Sequence, residues 1–175
     1  MGEMKTEFLD SFMIYVTFLG AVELSIIAAA LLSILLVVYR KIKEAVWINI
    51  VIIGGIAYNF ILKLFINRER PGESKFIEAF GVNFEMASYS FPSGHTMRIT
   101  LLMLVLTFLL FKLVPLQTKS KNWVLSIGGI LILLVAFSRI YLNYHYISDA
   151  AASILLGGIF FYFMTKIRPH LNLSV

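Results

Sequence analysis

The chain alternates between long apolar runs and short polar connections. From residue 14 to residue 39 almost every position is apolar, with Glu23 the one charge inside. Further runs cover residues 46–66, 96–114, 123–137 and 147–165. About 20 helical residues cross the roughly 30 Å hydrocarbon core of a bilayer. Each run comes close to that length or exceeds it, the fourth by taking in residues 138–142 at its end. The pattern predicts an all-α integral membrane protein, a bundle of five transmembrane helices forming a single domain over residues 1–175. Residues 68–91, between the second and third runs, mix Glu69, Glu73, Glu78 and Glu85 with Phe76, Ile77, Phe80, Val82, Phe84 and Met86. Two readings fit that mixture: a short amphipathic element lying at the membrane surface, or a hydrated loop.

Composition points the same way. The chain is 59% hydrophobic with a mean hydropathy of +0.87, against roughly 45–50% apolar residues in soluble domains. Cysteine is absent, which excludes disulfides and thiolate metal sites. Three histidines without a carboxylate cluster or an H-E-x-x-H pattern argue against a protein-held metal. The net charge is +5, but the basic residues are scattered at the ends of the apolar runs. That scatter excludes nucleic acid as a partner and fits anionic lipid headgroups. No protein partner is implied.

The same residues orient the bundle. Arg40, Lys41, Lys43, Lys112, Lys119, Lys121, Lys166 and Arg168 fall on one side, and Lys5, Arg68, Arg70, Lys75 and Arg139 on the other. Eight against five assigns the first group to the cytoplasm by the positive-inside rule. Residues 67–95 and 139–148 then share the outer side, together with the N-terminus.

Three polar sets interrupt the apolar pattern, and charge inside a membrane chain is costly unless it meets a partner or a ligand. In the stretch SRIYLNYHYISD, residues 138–149, His145 and Asp149 are four apart. On a helix they would share a face, and the carboxylate would fix the ring's tautomer and leave its other nitrogen a better nucleophile or base. Arg139 offers a fork suited to a phosphate. Lys63 and Arg70 are seven apart, nearly two turns, and point the same way if their helix persists to Pro71. A lysine there can also merely snorkel to the headgroups. Before the third run stands FPSGHT, in which Ser93 and Gly94 precede a helix start whose amides and dipole suit a phosphate. His95 in the first turn can trade a proton with a group bound there. In an alternating five-span bundle all three sets emerge on one membrane face.

These segments resemble the three signature motifs of the type-2 phosphatidic acid phosphatase superfamily: K-x6-R-P at Lys63, Arg70 and Pro71, P-S-G-H at residues 92–95, and S-R-x5-H-x3-D at Ser138, Arg139, His145 and Asp149. The dense membrane character is similar to the bacterial lipid phosphatase branch. The resemblance implies that His145 is a nucleophile that becomes a phosphohistidine, oriented by Asp149, and that His95 is the acid for the departing lipid oxygen and then the base for water. It implies that Lys63, Arg70, Ser93, Gly94 and Arg139 cradle the phosphate, that neither metal nor cofactor is needed, and that the site faces outward from a bacterial inner membrane. It also implies six helices, so that one would be missing before residue 14.

The expected activity is removal of phosphate from a phosphomonoester or diphosphate of a membrane lipid: undecaprenyl diphosphate, phosphatidylglycerol phosphate, the 1-phosphate of lipid A or a similar anionic lipid. The alternatives are phosphotransfer through the same phosphohistidine, and a non-catalytic binding or transport protein. Arg98 lies three residues after His95 and needs a partner. Either Glu23 pairs with it, or Arg98 and Glu23 contribute to a headgroup or second-phosphate site. Asn59 is expected to bridge helices, and Tyr141, Tyr144 and Tyr146 to form an interfacial aromatic belt.

Overall fold

The computed structural model describes residues 7–71 and 89–168, and the backbone of 77–79 and 82–84. Among these are six helices: α1 (Glu7–Phe18), α2 (Val22–Val38), α3 (Ile42–Ile66), α4 (Gly94–Leu113), α5 (Thr118–Tyr141) and α6 (Ile147–Ile167). Helices α3 to α6 are each long and apolar enough to cross a membrane, and α1 with α2 would make a fifth span if taken as one bent element. This is a multi-pass membrane bundle.

The first apolar run is not one helix, as its composition suggests. It breaks between α1 and α2, which meet at a 44° bend. The break centres on Gly20, which stands close against the start of α4. A Cβ there would lie 2.5 Å from the carbonyl oxygen of His95, so a side chain would drive α4 away. The two halves then pack on different partners, α1 on α5 and α2 on α3. Counted as elements, the helices number six where the hydrophobic pattern gave five.

Helix α3 ends earlier than Pro71. Asn67 takes a left-handed conformation (φ 47°) and its N–H bonds the Lys63 carbonyl, a helix stop of the αL kind. Residues 68–71 therefore leave the helix, and Arg70 reaches its place through a loop rather than by helical periodicity. Most of the segment predicted as an amphipathic surface element lies outside the described residues. Within it, β1 (Ile77–Ala79) and β2 (Val82–Phe84) pair antiparallel, Ile77 opposite Phe84.

Trp47, Ile48 and Val51 of α3, Met97, Leu101 and Val105 of α4 and Val135 of α5 form the buried core. Lipid tails are as apolar as these side chains, so close packing rather than release of water holds them together. The Trp47 indole N–H donates to the Met164 carbonyl at 3.1 Å and its ring lies 4.9 Å from Phe108. At that end Glu44 accepts from Lys112 at 2.6 Å and is paired with Arg168. This ion cluster ties α3, α4 and the end of α6 together, opposite the end that holds His95 and His145.

Candidate active site

At the far end of the bundle the end of α3, the start of α4, the end of α5 and the start of α6 come together. Arg139 lies in the last turn of α5, and its carbonyl accepts from the N–H of Tyr144 at 3.0 Å and of His145 at 3.3 Å. Asn143, at φ 59°, turns the chain back. His145 consequently lies in the connection, and α6 begins only at Ile147. The expectation that His145 and Asp149 share a helix face is therefore corrected: a loop residue meets the third residue of the next helix.

Asp149 is fully buried, and each of its oxygens is engaged. Oδ2 accepts the Tyr146 N–H at 2.9 Å, closing the first turn of α6, and Oδ1 accepts from Arg68 at 2.7 Å. His145 Nδ1 lies 3.6 Å from Oδ2, slightly beyond hydrogen-bond length. It is buried and has no hydrogen-bond partner among the described residues. Catalytic hydrogen bonds are often long in the empty enzyme and tighten around substrate. A contraction of a few tenths of an ångström would place Nδ1–H on the carboxylate and leave the Nε2 lone pair free. Burial, and then the cations Arg139, Lys63 and Arg70, lower the His145 imidazole to about 4, against the raising effect of Asp149.

The start of α4 is fixed from three sides. Ser93 is its N-cap, and its Oγ accepts from the Thr96 N–H at 3.4 Å and from the Thr96 hydroxyl at 3.0 Å. The Ser93 N–H reaches the Asp149 carbonyl at 3.4 Å, which joins the two histidine segments directly. Asn59 of α3 donates to the Pro92 carbonyl at 3.4 Å, the bridging part expected of it. Helix geometry leaves the N–H groups of Gly94 and His95 without acceptors in the chain's own turn. Gly94 is needed for space: a Cβ there would lie 2.9 Å from an Arg98 nitrogen and 3.2 Å from the Asn59 oxygen.

Lys63 is buried, donates to the Tyr89 carbonyl, and feels the charges of Arg70, Arg98, Asp149 and Arg139. Arg139 donates to the Thr17 hydroxyl of α1 at 3.0 Å, while its Nε is buried without a partner. The charges acting on His95 are those of Arg139, Arg98, His145 and Arg70. The sequence-predicted set Lys63, Arg70, Ser93, Gly94, His95, Arg139, His145 and Asp149 is thus brought to one place. A cleft of about 510 Å³ opens beside His145, lined among others by Arg68, Pro71 and Asn143. Among the described residues no group of three or more metal-ligating side chains is present.

Arg98 is held by groups other than the Glu23 carboxylate. Its Nε donates to the Gly20 carbonyl at 2.8 Å, and its Nη2 stands 3.2 Å from His95 Nδ1. Glu23 acts on it electrostatically, but no ion pair within 4.0 Å joins the two. The tyrosines expected at the interface make specific contacts within the protein. Tyr144 lies under Arg139 at 4.1 Å and Tyr146 under Arg68 at 4.2 Å, distances typical of cation–π contact. Tyr141 donates to Asp10 of α1 at 2.9 Å.

Sequence reasoning missed Arg68, Thr17 and Gly20. Arg68 stands two residues before Arg70, and the only signal was an extra cation beside a motif cation. Thr17 and Gly20 were a polar residue and a glycine three apart within an unbroken apolar run, where a helix break was the alternative to read.

The chain is similar to several known proteins. Phosphatidylglycerophosphatase B of Bacillus subtilis (strain 168) is 28% identical over 158 residues, covering 90% of this chain and 74% of that protein. Undecaprenyl-diphosphatase BcrC of the same organism is 28% identical over 174 residues, covering 95% of this chain and 81% of that one. The crystal structure of a transmembrane PAP2-type phosphatidylglycerolphosphate phosphatase from Bacillus subtilis superposes with a TM-score of 0.80 at 25% identity, covering 98% of this chain and 82% of that chain. Aquifex aeolicus LpxE shares the fold at a TM-score of 0.64 and 23% identity, over 93% of this chain and 88% of its own. The signature of the PAP2 superfamily matches residues 44–172, which takes in all three motif segments and most of the chain. This chain is a member of the PAP2 superfamily.

Proposed function

We propose that the protein is a metal-independent lipid phosphatase that removes the terminal phosphate of a membrane lipid through a phosphohistidine on His145. The observation that carries this reading is the placement of two imidazoles and three basic side chains, Lys63, Arg70 and Arg139, at one end of an apolar bundle. Phosphoryl transfer needs little covalent chemistry from the protein; it needs fixed positive charge around the equatorial oxygens and an aligned nucleophile. Arg139 supplies a buried N–H without a partner, and the first turn of α4 adds amides and the positive end of its dipole. His145, with Nδ1 turned to Asp149, directs Nε2 at phosphorus. His95 faces the leaving lipid oxygen, assists its departure through a hydrogen bond or a proton according to the leaving group, and then orients the attacking water. The names of the two Bacillus relatives support lipid phosphates as the substrate class. The Lys and Arg distribution supports an extracytoplasmic site in a bacterial inner membrane.

The test is purified protein in detergent with a chelator, assayed for phosphate release from phosphatidylglycerophosphate, phosphatidic acid and undecaprenyl diphosphate, beside His145→Ala. Release from at least one lipid that survives chelation and disappears in the variant is expected. Turnover retained by His145→Ala would refute the nucleophile, and strict dependence on an added metal would refute the mechanism.

A further inference from the structure

We propose that Arg98 is a positioning residue that locks His95 into the tautomer carrying its proton on Nε2, and that this bias suits lipid diphosphates over lipid phosphomonoesters. The inference rests on the lipid phosphatase reading above and adds to it a residue and a substrate class.

The geometry carries the first half. A guanidinium has donors only. The contact of 3.2 Å between Arg98 Nη2 and His95 Nδ1 is therefore a hydrogen bond only when Nδ1 offers its lone pair. The single proton of the neutral ring must then sit on Nε2. A second proton at Nδ1 would break that bond and set two cations face to face. The guanidinium is itself held at Nε by the Gly20 carbonyl at 2.8 Å. Both glycines beside it make the arrangement possible. A Cβ on Gly94 would press on the guanidinium, and a Cβ on Gly20 would collide with the His95 carbonyl. Among the described residues, the charged groups that act most on His95 are Arg98 on its own helix, Arg139 at the end of α5, and His145 and Arg70 on connections. None of them is a carboxylate. The nearest acid on the α2 side, Glu23, acts on Arg98 instead.

The chemistry carries the second half. A neutral imidazole donates a hydrogen bond through Nε2–H readily, yet parts with that proton poorly. An alkoxide leaving from a phosphomonoester requires the proton itself. A phosphate leaving from a diphosphate requires only the hydrogen bond. With a lipid diphosphate the steps balance without a proton from His95. The His145 Nε2 lone pair bonds to the terminal phosphorus, the bond from phosphorus to the bridging oxygen breaks, and its electron pair departs on the lipid monophosphate. Water then bonds to the phosphorus, the N–P electrons return to Nε2, and both water protons leave on dihydrogen phosphate.

The experiment compares kcat/KM for dioctanoylglycerol diphosphate and dioctanoyl phosphatidic acid, which differ only in leaving group, in wild type, Arg98→Met and Arg98→Gln between about pH 5 and 8. Wild type is expected to favour the diphosphate, and the variants to lose that preference by about tenfold or more, with the monoester gaining on the acid side, because general acid catalysis contributes on the order of 10²-fold or more. A preference unmoved by either variant, or a wild type that favours the monoester, overturns the proposal. Nitrogen-15 NMR of histidine-labelled wild type, assigned with His95→Gln, reads the tautomer without altering Arg98. A proton on Nε2 is expected, and a proton on Nδ1 overturns the assignment even if the variants fail to fold. If wild type hydrolyses neither lipid, the phosphatase reading itself falls. If both are hydrolysed and His145→Ala abolishes both while the Arg98 variants change nothing, only the role of Arg98 falls.

Discussion

His145 and His95 present the same ring to one cluster of cations, and their Nδ1 atoms face opposite partners. Nδ1 of His145 looks at the Asp149 carboxylate across 3.6 Å, while Nδ1 of His95 looks at the Arg98 guanidinium across 3.2 Å. The carboxylate asks for a proton on the near nitrogen and leaves a lone pair on the far one; the guanidinium asks for the reverse. In the proposed mechanism the ring left with a free lone pair attacks, and the ring left with a free N–H assists departure. Two copies of one side chain thus receive different work from the single group behind each.

The sharpest way to break this comparison is to remove each ring. His145→Ala is expected to lower kcat by on the order of 10⁵-fold, as loss of a nucleophile does elsewhere. His95→Ala should cost less on a diphosphate than on a phosphomonoester of the same lipid, and equal losses on the two would erase the distinction. Asp149→Asn keeps the shape but removes the charge behind His145, and a loss of about 10³-fold in kcat is expected by analogy with other His–Asp pairs. The Asn can still accept the Tyr146 N–H that Asp149 accepts now. The fold should therefore survive, which circular dichroism and elution volume in detergent would check.

Gly20→Ala probes the other ring from a distance. Its methyl would lie 2.5 Å from the His95 carbonyl and 2.9 Å from the His95 Cβ. A shift of α4 by about an ångström costs on the order of a hundredfold in rate. The loss should fall on kcat, with membrane insertion intact, and an active Gly20→Ala protein would separate the α1–α2 break from catalysis.

The smallest effect is on pH. In the proposed mechanism His145 must be neutral to attack, and burial with neighbouring cations lowers its imidazole to about 4. Since its protonation is disfavoured relative to a free imidazole, its contribution to kcat/KM should hold as pH falls past the ordinary value and fade only near 4. The loss attributable to His145 between about pH 7 and 5 should be less than about twofold, and an acid limb at the ordinary imidazole value would contradict this.

Much of this site was legible in the chain because its chemistry is expensive. Lys63, Arg139, His145 and Asp149 are conspicuous among apolar residues, and alternating spans bring their segments to one face. What was not legible depends on tertiary contact. Composition across residues 14–39 is uniform, and the close approach of Gly20 to His95 is a tertiary contact it does not reveal. The spacing of His145 and Asp149 satisfies a helical rule that the αL residue Asn143 makes irrelevant. Asn67 likewise ends α3 before Arg70, so a motif spacing that reads as two turns is a turn and a loop. Arg68 carries no signature apart from its neighbours, yet it holds the Asp149 oxygen that His145 does not face.

The central claim is that His145, and not His95, forms the bond to phosphorus. Its most direct test is brief incubation of His95→Gln protein with a terminally phosphorus-32-labelled lipid diphosphate in chelator, followed by alkaline quench and peptide mapping. Acid-labile, alkali-stable label confined to the peptide containing His145, and absent from the His145→Ala protein, is the predicted result. Label on any other residue, or label that persists in His145→Ala, would contradict the account.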